Sequence, residues 1–104
     1  MKKTGLTNKQ LEEIIAVLKT VPEIEKAVLF GSRATGTYKK TSDVDIALSG
    51  KRLGPTMVRK AHMILEEGTS IPYFFDLLHA QKVRNKELAR RIREEGLVIY
   101  SRDN

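Results

Sequence analysis

Apolar residues in the first third of the chain follow helical spacing and then strand spacing. One face of a predicted helix carries apolar residues at i, i+3, i+4 and i+7: Leu11, Ile14, Ile15 and Leu18. Thr7 and Gln10 have the spacing of a capping box, so the helix is predicted to begin at Thr7 and to end before Pro22. Residues 26–30 are almost continuously apolar, which predicts a short strand covered on both faces.

The rest of the chain alternates between predicted strands and helices. Gly31 and Gly36 bracket a turn or a single helical turn, and residues 43–48 alternate as a strand does, with Asp43, Asp45 and Ala47 on one face. Further elements are predicted in this order: a helix from Pro55 to Gly68, a strand over 73–78, a helix over 85–95 and a short strand over 97–100. This order predicts an α/β (α+β) fold, with a mixed sheet of three to four strands flanked by helices.

Composition limits the class of protein. The 104 residues suit one domain, residues 1–104, and 40% apolar with 31% charged residues is typical of a globular chain. No apolar run approaches the roughly 20 residues that span a bilayer, and the basic start lacks the apolar segment of a signal peptide. There is no cysteine, which excludes disulfides and thiolate chemistry. We therefore expect a cytoplasmic protein without a membrane association.

The net charge of +6 indicates either a solvated basic surface or an acidic partner. Such a partner could be a nucleotide, a nucleic acid or an acidic protein. Four arginines lie in or near the last predicted helix: Arg84, Arg90, Arg91 and Arg93. They are typical of a solvated helix face, and the alternative is contact with an acidic partner or RNA.

Three aspartates are candidates for a metal site. Asp43 and Asp45 lie two residues apart on one strand face, within about 7 Å of each other. Two such carboxylates repel unless a cation neutralises them, and hard oxygen ligands favour Mg²⁺. Asp76 is the charged residue within the apolar run 71–78, and it reaches the same face if its strand pairs beside the first. Three carboxylates from two strands can hold two divalent ions.

The turn at Gly31 and Ser32 is a candidate phosphate site. Glycine lets the backbone approach a ligand closely, and Ser32 can donate its hydroxyl and its N–H. Arg33 is either a phosphate clamp or an exposed arginine. The spacing of Gly31 and Gly36 fits a P-loop, but Thr37 stands where that motif requires lysine, so a P-loop is excluded.

Other arrangements would explain the aspartates without a metal. Asp43 could cap a turn with Ser42, Asp45 could pair with Lys39 or Arg59, and Asp76 could pair with a basic residue. For the histidines, His62 is predicted to pack or lie at the surface, and His79 falls on the strand face opposite Asp76. Neither histidine is placed in the site.

The chain resembles the minimal nucleotidyltransferases of the DNA polymerase beta-like superfamily. Gly31-Ser32, ten residues and then Asp43-Val44-Asp45 match their G-S-x10-D-x-D signature. The FDLL segment around Asp76 is similar to their third-carboxylate strand, and residues 85–100 are similar to their closing helix and strand. The resemblance implies that Gly31 and Ser32 hold the triphosphate and that the three aspartates ligate the metals. It also implies that Asp76 assists deprotonation of the acceptor.

The activity implied is Mg²⁺-dependent transfer of a nucleoside monophosphate, AMP from ATP, to an acceptor hydroxyl. The resemblance also implies a partner, a small helical HEPN-type protein, with this chain as the antitoxin of a toxin–antitoxin pair. The alternative is a non-catalytic module of the same fold. Such a module would neutralise a partner by binding it, or would bind nucleic acid through its basic surface.

Overall fold

Residues 3–102 are described in the computed structural model of this protein, so the predicted domain 1–104 extends slightly beyond them at both ends. The helices are α1 (Asn8–Lys19), α2 (Ser32–Thr35), α3 (Pro55–Glu67) and α4 (Lys86–Glu95), with a 3₁₀ helix at Ala80–Lys82. The strands are β1 (Lys26–Phe30), β2 (Val44–Ser49), β3 (Phe75–His79) and β4 (Leu97–Ser101). The predicted α/β fold class and element order are confirmed, and the 3₁₀ helix was not predicted.

The four strands form one mixed sheet in the order β3-β2-β1-β4. Strand β1 pairs antiparallel with both β2 and β4, whereas β2 and β3 are parallel and are connected through α3. A parallel pair needs such a crossover, because its two strands start at the same edge of the sheet. The parallel pairing places the starts of β2 and β3 side by side.

One face of the sheet packs against α1 and α3 to form the core. The sheet contributes the alternating apolar residues of β1 and β2, and the helices contribute their buried stripes: Ala27, Leu29, Val44, Ile46 and Leu48, with Ile14, Leu18, Ala61 and Leu65. Because side chains alternate along a strand, the neighbouring residues point to the opposite face. That second face carries Val28, Phe30, Asp45 and Asp76, and α4 covers the part of it at Val28.

Most predicted boundaries hold to within two residues. The capping box is present, since the Thr7 hydroxyl accepts from the Gln10 backbone N–H at 3.0 Å and the Gln10 side-chain oxygen Oε1 accepts from the Thr7 backbone N–H at 3.0 Å. Strand β2 begins at Val44 rather than Asp43, so Asp43 immediately precedes the strand. Strand β3 begins at Phe75 rather than at residue 73, because its parallel pairing with β2 begins with Phe75 opposite Val44.

Across residues 3–102, every helix is too short or too polar to cross a bilayer.

Candidate active site at the paired starts of two parallel strands

Asp45 and Asp76 lie opposite each other on adjacent strands. The register pairs Asp45 of β2 with Asp76 of β3, and the antiparallel register pairs Asp45 with Phe30 of β1. Neighbouring strands are about 4.8 Å apart, so the two aspartates start from adjacent backbone positions on one face. Asp43 stands one residue before β2 at the same edge. The structure therefore brings the three predicted aspartates to one edge of the sheet.

The charge of Asp45 is poorly compensated. Burial, and then the charges of Asp76 and Asp43, raise the pKa of Asp45 from its usual 3.8 to about 6, against a smaller lowering by Arg33. Asp45 is half-buried, whereas Asp43 and Asp76 are exposed. Repulsion among carboxylates of this kind is relieved when a cation binds between them.

The ion pairs that could have explained the aspartates are not formed. Over residues 3–102, no lysine, arginine or histidine lies within 4.0 Å of a carboxylate oxygen of Asp43, Asp45 or Asp76. The turn before β2 is closed by Ser42 instead, whose hydroxyl accepts from the Lys39 N–H at 2.8 Å. The alternative prediction, that Asp45 pairs with Lys39 or Arg59, is therefore wrong.

The carboxylates are adjacent but are not gathered into a closed cage. Within the described residues, no three histidine, cysteine, aspartate or glutamate side chains converge as a ready set of metal ligands. The three carboxylates therefore lie at neighbouring backbone positions along an open edge of the sheet.

Gly31 fits the site for two independent reasons. Its φ is +76°, in the left-handed region that favours glycine, and it lies between β1 and α2. A Cβ at this position would overlap the Oδ2 atom of Asp45. Sequence reasoning assigned Gly31 to close approach of a ligand, and the structure adds close approach of the Asp45 carboxylate.

Ser32 opens the short helix α2 beside Gly31. Its side chain is half-buried, and its hydroxyl makes no hydrogen bond with any described residue. The carbonyl groups of Gly31 and Ser32 accept from the following turn, at Ala34, Thr35, Gly36 and Thr37. The Ser32 hydroxyl is therefore a donor still available to a ligand in a groove of about 270 Å³.

Arg33 is buried, which corrects both sequence-based expectations for it. The residue is 1% exposed, and its guanidinium lies over the rings of Tyr38 and Tyr73, at 5.2 Å and 4.2 Å from their centroids. Its Nη1 donates to the Thr4 carbonyl at 3.0 Å, and its Nη2 donates to the Ser42 carbonyl at 2.8 Å. An arginine held in this way is neither exposed nor presented to a phosphate.

Arg33 instead positions the segment that leads into β2. Its Nε and Nη2 both donate to the Ser42 carbonyl, at 3.2 Å and 2.8 Å, directly before Asp43. Sequence reasoning missed this role because the partners are distant in the chain. The possible signal was the pair of tyrosines, Tyr38 and Tyr73, in otherwise polar or turn segments.

Both histidines lie outside the site, as expected. The Nε2 atom of His62 is 2.9 Å from the Phe75 carbonyl and 3.5 Å from a Glu66 carboxylate oxygen. The Nε2 atom of His79 is 3.0 Å from the Gln81 side-chain oxygen. Each ring therefore has a polar partner other than the three aspartates.

A family comparison decides the fold family of the chain. The family model described as polymerase beta, nucleotidyltransferase matches residues 12–104, which begin within α1 and include every element after it. The chain belongs to this nucleotidyltransferase family. No curated protein sequence matches the chain significantly.

Solved structures with the same fold include toxin–antitoxin complexes. A chain from a toxin–antitoxin crystal structure with AMP-PNP is 22% identical, with a TM-score of 0.73 over 88% of this chain and 73% of that one. A chain from the complex of a tri-AMPylated Shewanella oneidensis HEPN toxin with MNT antitoxin is 19% identical, with a TM-score of 0.66 over 88% of this chain and 69% of that one. A proposed nucleotidyltransferase from Sulfolobus solfataricus is 19% identical, with a TM-score of 0.54 over 92% and 84%. At these identities the similarity establishes the nucleotidyltransferase fold.

Proposed function

We propose that this nucleotidyltransferase transfers AMP from ATP to a hydroxyl group of a partner protein, as the antitoxin of a toxin–antitoxin pair. The observation that carries the proposal is the pairing of Asp45 with Asp76 across β2 and β3, without an ion-pair partner, beside Gly31 and Ser32. An exposed edge of carboxylates next to a free hydroxyl donor suits a nucleoside triphosphate that arrives with a divalent cation.

The donor set fits Mg²⁺. Carboxylate oxygens are the ligands this ion prefers, and Asp43, Asp45 and Asp76 supply them from two neighbouring strands. Burial, and then the charges of Asp76 and Asp43, raise the pKa of Asp45, and a cation bound at this edge would offset the repulsion between these carboxylates. Asp43 and Asp45 would hold one ion, and Asp76 would complete the second. Bound Mg²⁺ would neutralise the triphosphate and lower the pKa of the attacking hydroxyl.

The residues of the chain would act on the phosphate and on the acceptor proton. The Ser32 hydroxyl would donate to a phosphate oxygen and hold the triphosphate against the edge of the sheet. The acceptor oxygen then attacks the α-phosphorus, the bond to the bridging α,β-oxygen breaks, and pyrophosphate leaves. Asp76, which is exposed at the edge, would accept the proton of the acceptor hydroxyl.

The proposed partner is a HEPN-type protein. Structures of the same fold include a tri-AMPylated HEPN toxin in complex with an MNT antitoxin and a toxin–antitoxin complex with AMP-PNP. This chain also exposes 72% of Phe74, and the Phe74 carbonyl accepts from the Val44 N–H at 2.9 Å. An exposed aromatic side chain next to Asp43 and β3 suits a protein acceptor that must bring its hydroxyl to that edge.

Binding without catalysis is the second candidate function. It is favoured by the exposure of Phe74 and Met63, at 72% and 59%, because an apolar surface can neutralise a partner without chemistry. A complex with the partner that survives Asp45→Ala, with no change in the partner's mass on incubation with ATP, would support this candidate. Nucleic-acid binding through the net charge of +6 would appear as a salt-dependent affinity for RNA or DNA.

The test of the proposed activity uses ATP labelled at the α-phosphate, with Mg²⁺ and a HEPN-type partner. We expect label to appear on the partner with the unaltered chain. The variant Asp43→Asn should lose the transfer by at least about 100-fold, because it removes one ligating charge. Glu12→Gln, an exposed carboxylate on α1, is the matched control and should transfer normally. Transfer that survives Asp43→Asn would contradict the assigned roles.

A further inference from the structure

The groove beside Ser32 has a second wall that the proposed chemistry does not use. Gly31 and Ser32 lie on one side of this groove of about 270 Å³. Helix α4 supplies the other side with three residues at i, i+3 and i+7: Leu88, Arg91 and Glu95. Helix α4 therefore borders the proposed phosphate-binding turn.

The two neighbouring arginines of α4 are held very differently. Arg90 is fully engaged, since its Nε and Nη2 donate to Glu87 at 3.1 Å and 2.7 Å and its Nη1 donates to Glu94 at 3.0 Å. Arg91 donates through its Nε alone, to Glu87 at 3.2 Å. Within residues 3–102 its two terminal nitrogens make no hydrogen bond, and 60% of the side chain is exposed. Arg91 can therefore turn its guanidinium toward a ligand.

The other charge in the groove is partly compensated. A carboxylate oxygen of Glu95 lies 4.0 Å from Nη2 of Arg90. The charge of Arg90 offsets part of the repulsion between Glu95 and an anion in the groove. Arg91 is the cation among the residues that line the groove with Ser32. A phosphate oxygen bound by the Ser32 hydroxyl would occupy the same groove as the Arg91 guanidinium, whose planar fork can bind two phosphate oxygens at once.

We propose that Arg91 binds the β- or γ-phosphate of the triphosphate, the contact that the buried Arg33 cannot make. The inference rests on the proposed function, because it takes a nucleoside triphosphate as the ligand. It assigns α4 a part in the site in addition to its packing on β1. It also separates Arg91 from Arg90 and Arg93, which pair with glutamates of the same helix.

The test is calorimetric titration with α,β-methylene-ATP, which cannot transfer AMP, and separately with AMP, both in Mg²⁺. Arg91→Ala should lower the affinity for the analogue by about tenfold. The same variant should change the affinity for AMP by less than about twofold, because AMP lacks the β- and γ-phosphates. The affinity of Arg91→Lys for the analogue should be intermediate, since lysine keeps the charge but loses the planar guanidinium. Arg93→Ala is the matched control, an arginine 67% exposed on the same helix, and should bind both ligands normally.

Each unfavourable outcome has a distinct meaning. Equal affinity of Arg91→Ala and the unaltered chain for the analogue overturns the inference and leaves the proposed function standing. The specific phosphate contact is overturned if Arg91→Ala lowers the affinities for the analogue and for AMP equally. It is also overturned if Arg93→Ala lowers the affinity for the analogue as much as Arg91→Ala does. If the unaltered chain binds no analogue in Mg²⁺, the proposed function fails together with the inference. Thermal unfolding of Arg91→Ala should match the unaltered chain, which separates lost binding from lost folding.

Discussion

Two clusters of carboxylates on this chain have opposite electrostatic surroundings. On α4, hydrogen bonds and charge from Arg90 and Arg91 lower the pKa of Glu87 to about 2. At the paired starts of β2 and β3, burial and two neighbouring carboxylates raise the pKa of Asp45 to about 6. The glutamates of the first cluster form ion pairs with arginines, whereas the carboxylates of the second form none among residues 3–102.

This difference separates a surface from a site. Glutamates and arginines lie three or four residues apart on α4 and form ion pairs within the helix, as is usual for a solvated face. At the strand edge, Gly31 brings the backbone against Asp45, and the parallel register sets Asp76 beside it. Such an arrangement stores repulsion, and a cation that binds there relieves it.

Substitution of Gly31 should break the strand-edge cluster most severely. Gly31→Ala combines a left-handed φ with an overlap between its Cβ and Asp45, so we expect a loss of about 2–4 kcal/mol in the free energy of unfolding and a loss of the proposed AMP transfer. Gly36→Ala is the matched control, since its φ is +86° and a Cβ there meets nothing within 4 Å. It should cost about 1 kcal/mol. If the two variants lose the same free energy of unfolding in urea, the overlap with Asp45 adds nothing to the cost of Gly31→Ala.

Removal of Arg33 should destabilise the segment that carries Asp43. Arg33→Met leaves the Thr4 and Ser42 carbonyls without their donor, and we expect a loss of about 2–3 kcal/mol, measured by urea unfolding. The exposed Arg84→Met is the control and should change stability by less than about 0.5 kcal/mol. An Arg33→Met protein as stable as the unaltered chain would contradict the positioning role.

The fold was largely predictable because its signals are local. The cap at Thr7, the stripe of α1 and the alternation of β2 each depend on a few adjacent residues. The gathering of Asp43, Asp45 and Asp76 was predictable only on the condition that their strands are neighbours, since strand order is set by packing of the whole chain. The burial of Arg33 was not predictable, because the residues that contact its guanidinium, Thr4, Ser42 and Tyr73, are far apart in sequence.

Neutralisation of Asp45 should stabilise the protein in a pH-dependent way. The folded-state pKa of about 6 exceeds the usual 3.8, so the protonated carboxyl favours folding, and this stability is lost as pH rises through 6. Asp45→Asn should therefore gain about 1 kcal/mol at pH 7.5, after allowance for solvent screening, and little at pH 4. Chemical denaturation across this range checks it, with Glu12→Gln as the control. A gain that does not grow with pH would contradict the prediction.

The α4 cluster should respond weakly and with the opposite sign. The pKa of Glu87 is lowered to about 2, so its charged form favours folding above the usual 4.5, and this contribution is lost as pH falls. Glu87→Gln should lower Tm slightly at neutral pH. Because the group is fully exposed, 1 M NaCl should remove most of the difference. A large, salt-insensitive fall in Tm would show that this cluster is more than a solvated face.

The most direct test of the central claim is the titration of the Asp45 side-chain carboxyl by ¹³C NMR, with and without Mg²⁺. We predict a pKa of about 6 in the absence of the ion. With saturating Mg²⁺ the pKa should fall by more than about one unit, because a cation favours the carboxylate. A pKa near 4 that does not respond to Mg²⁺ would contradict a cation site at the paired starts of β2 and β3.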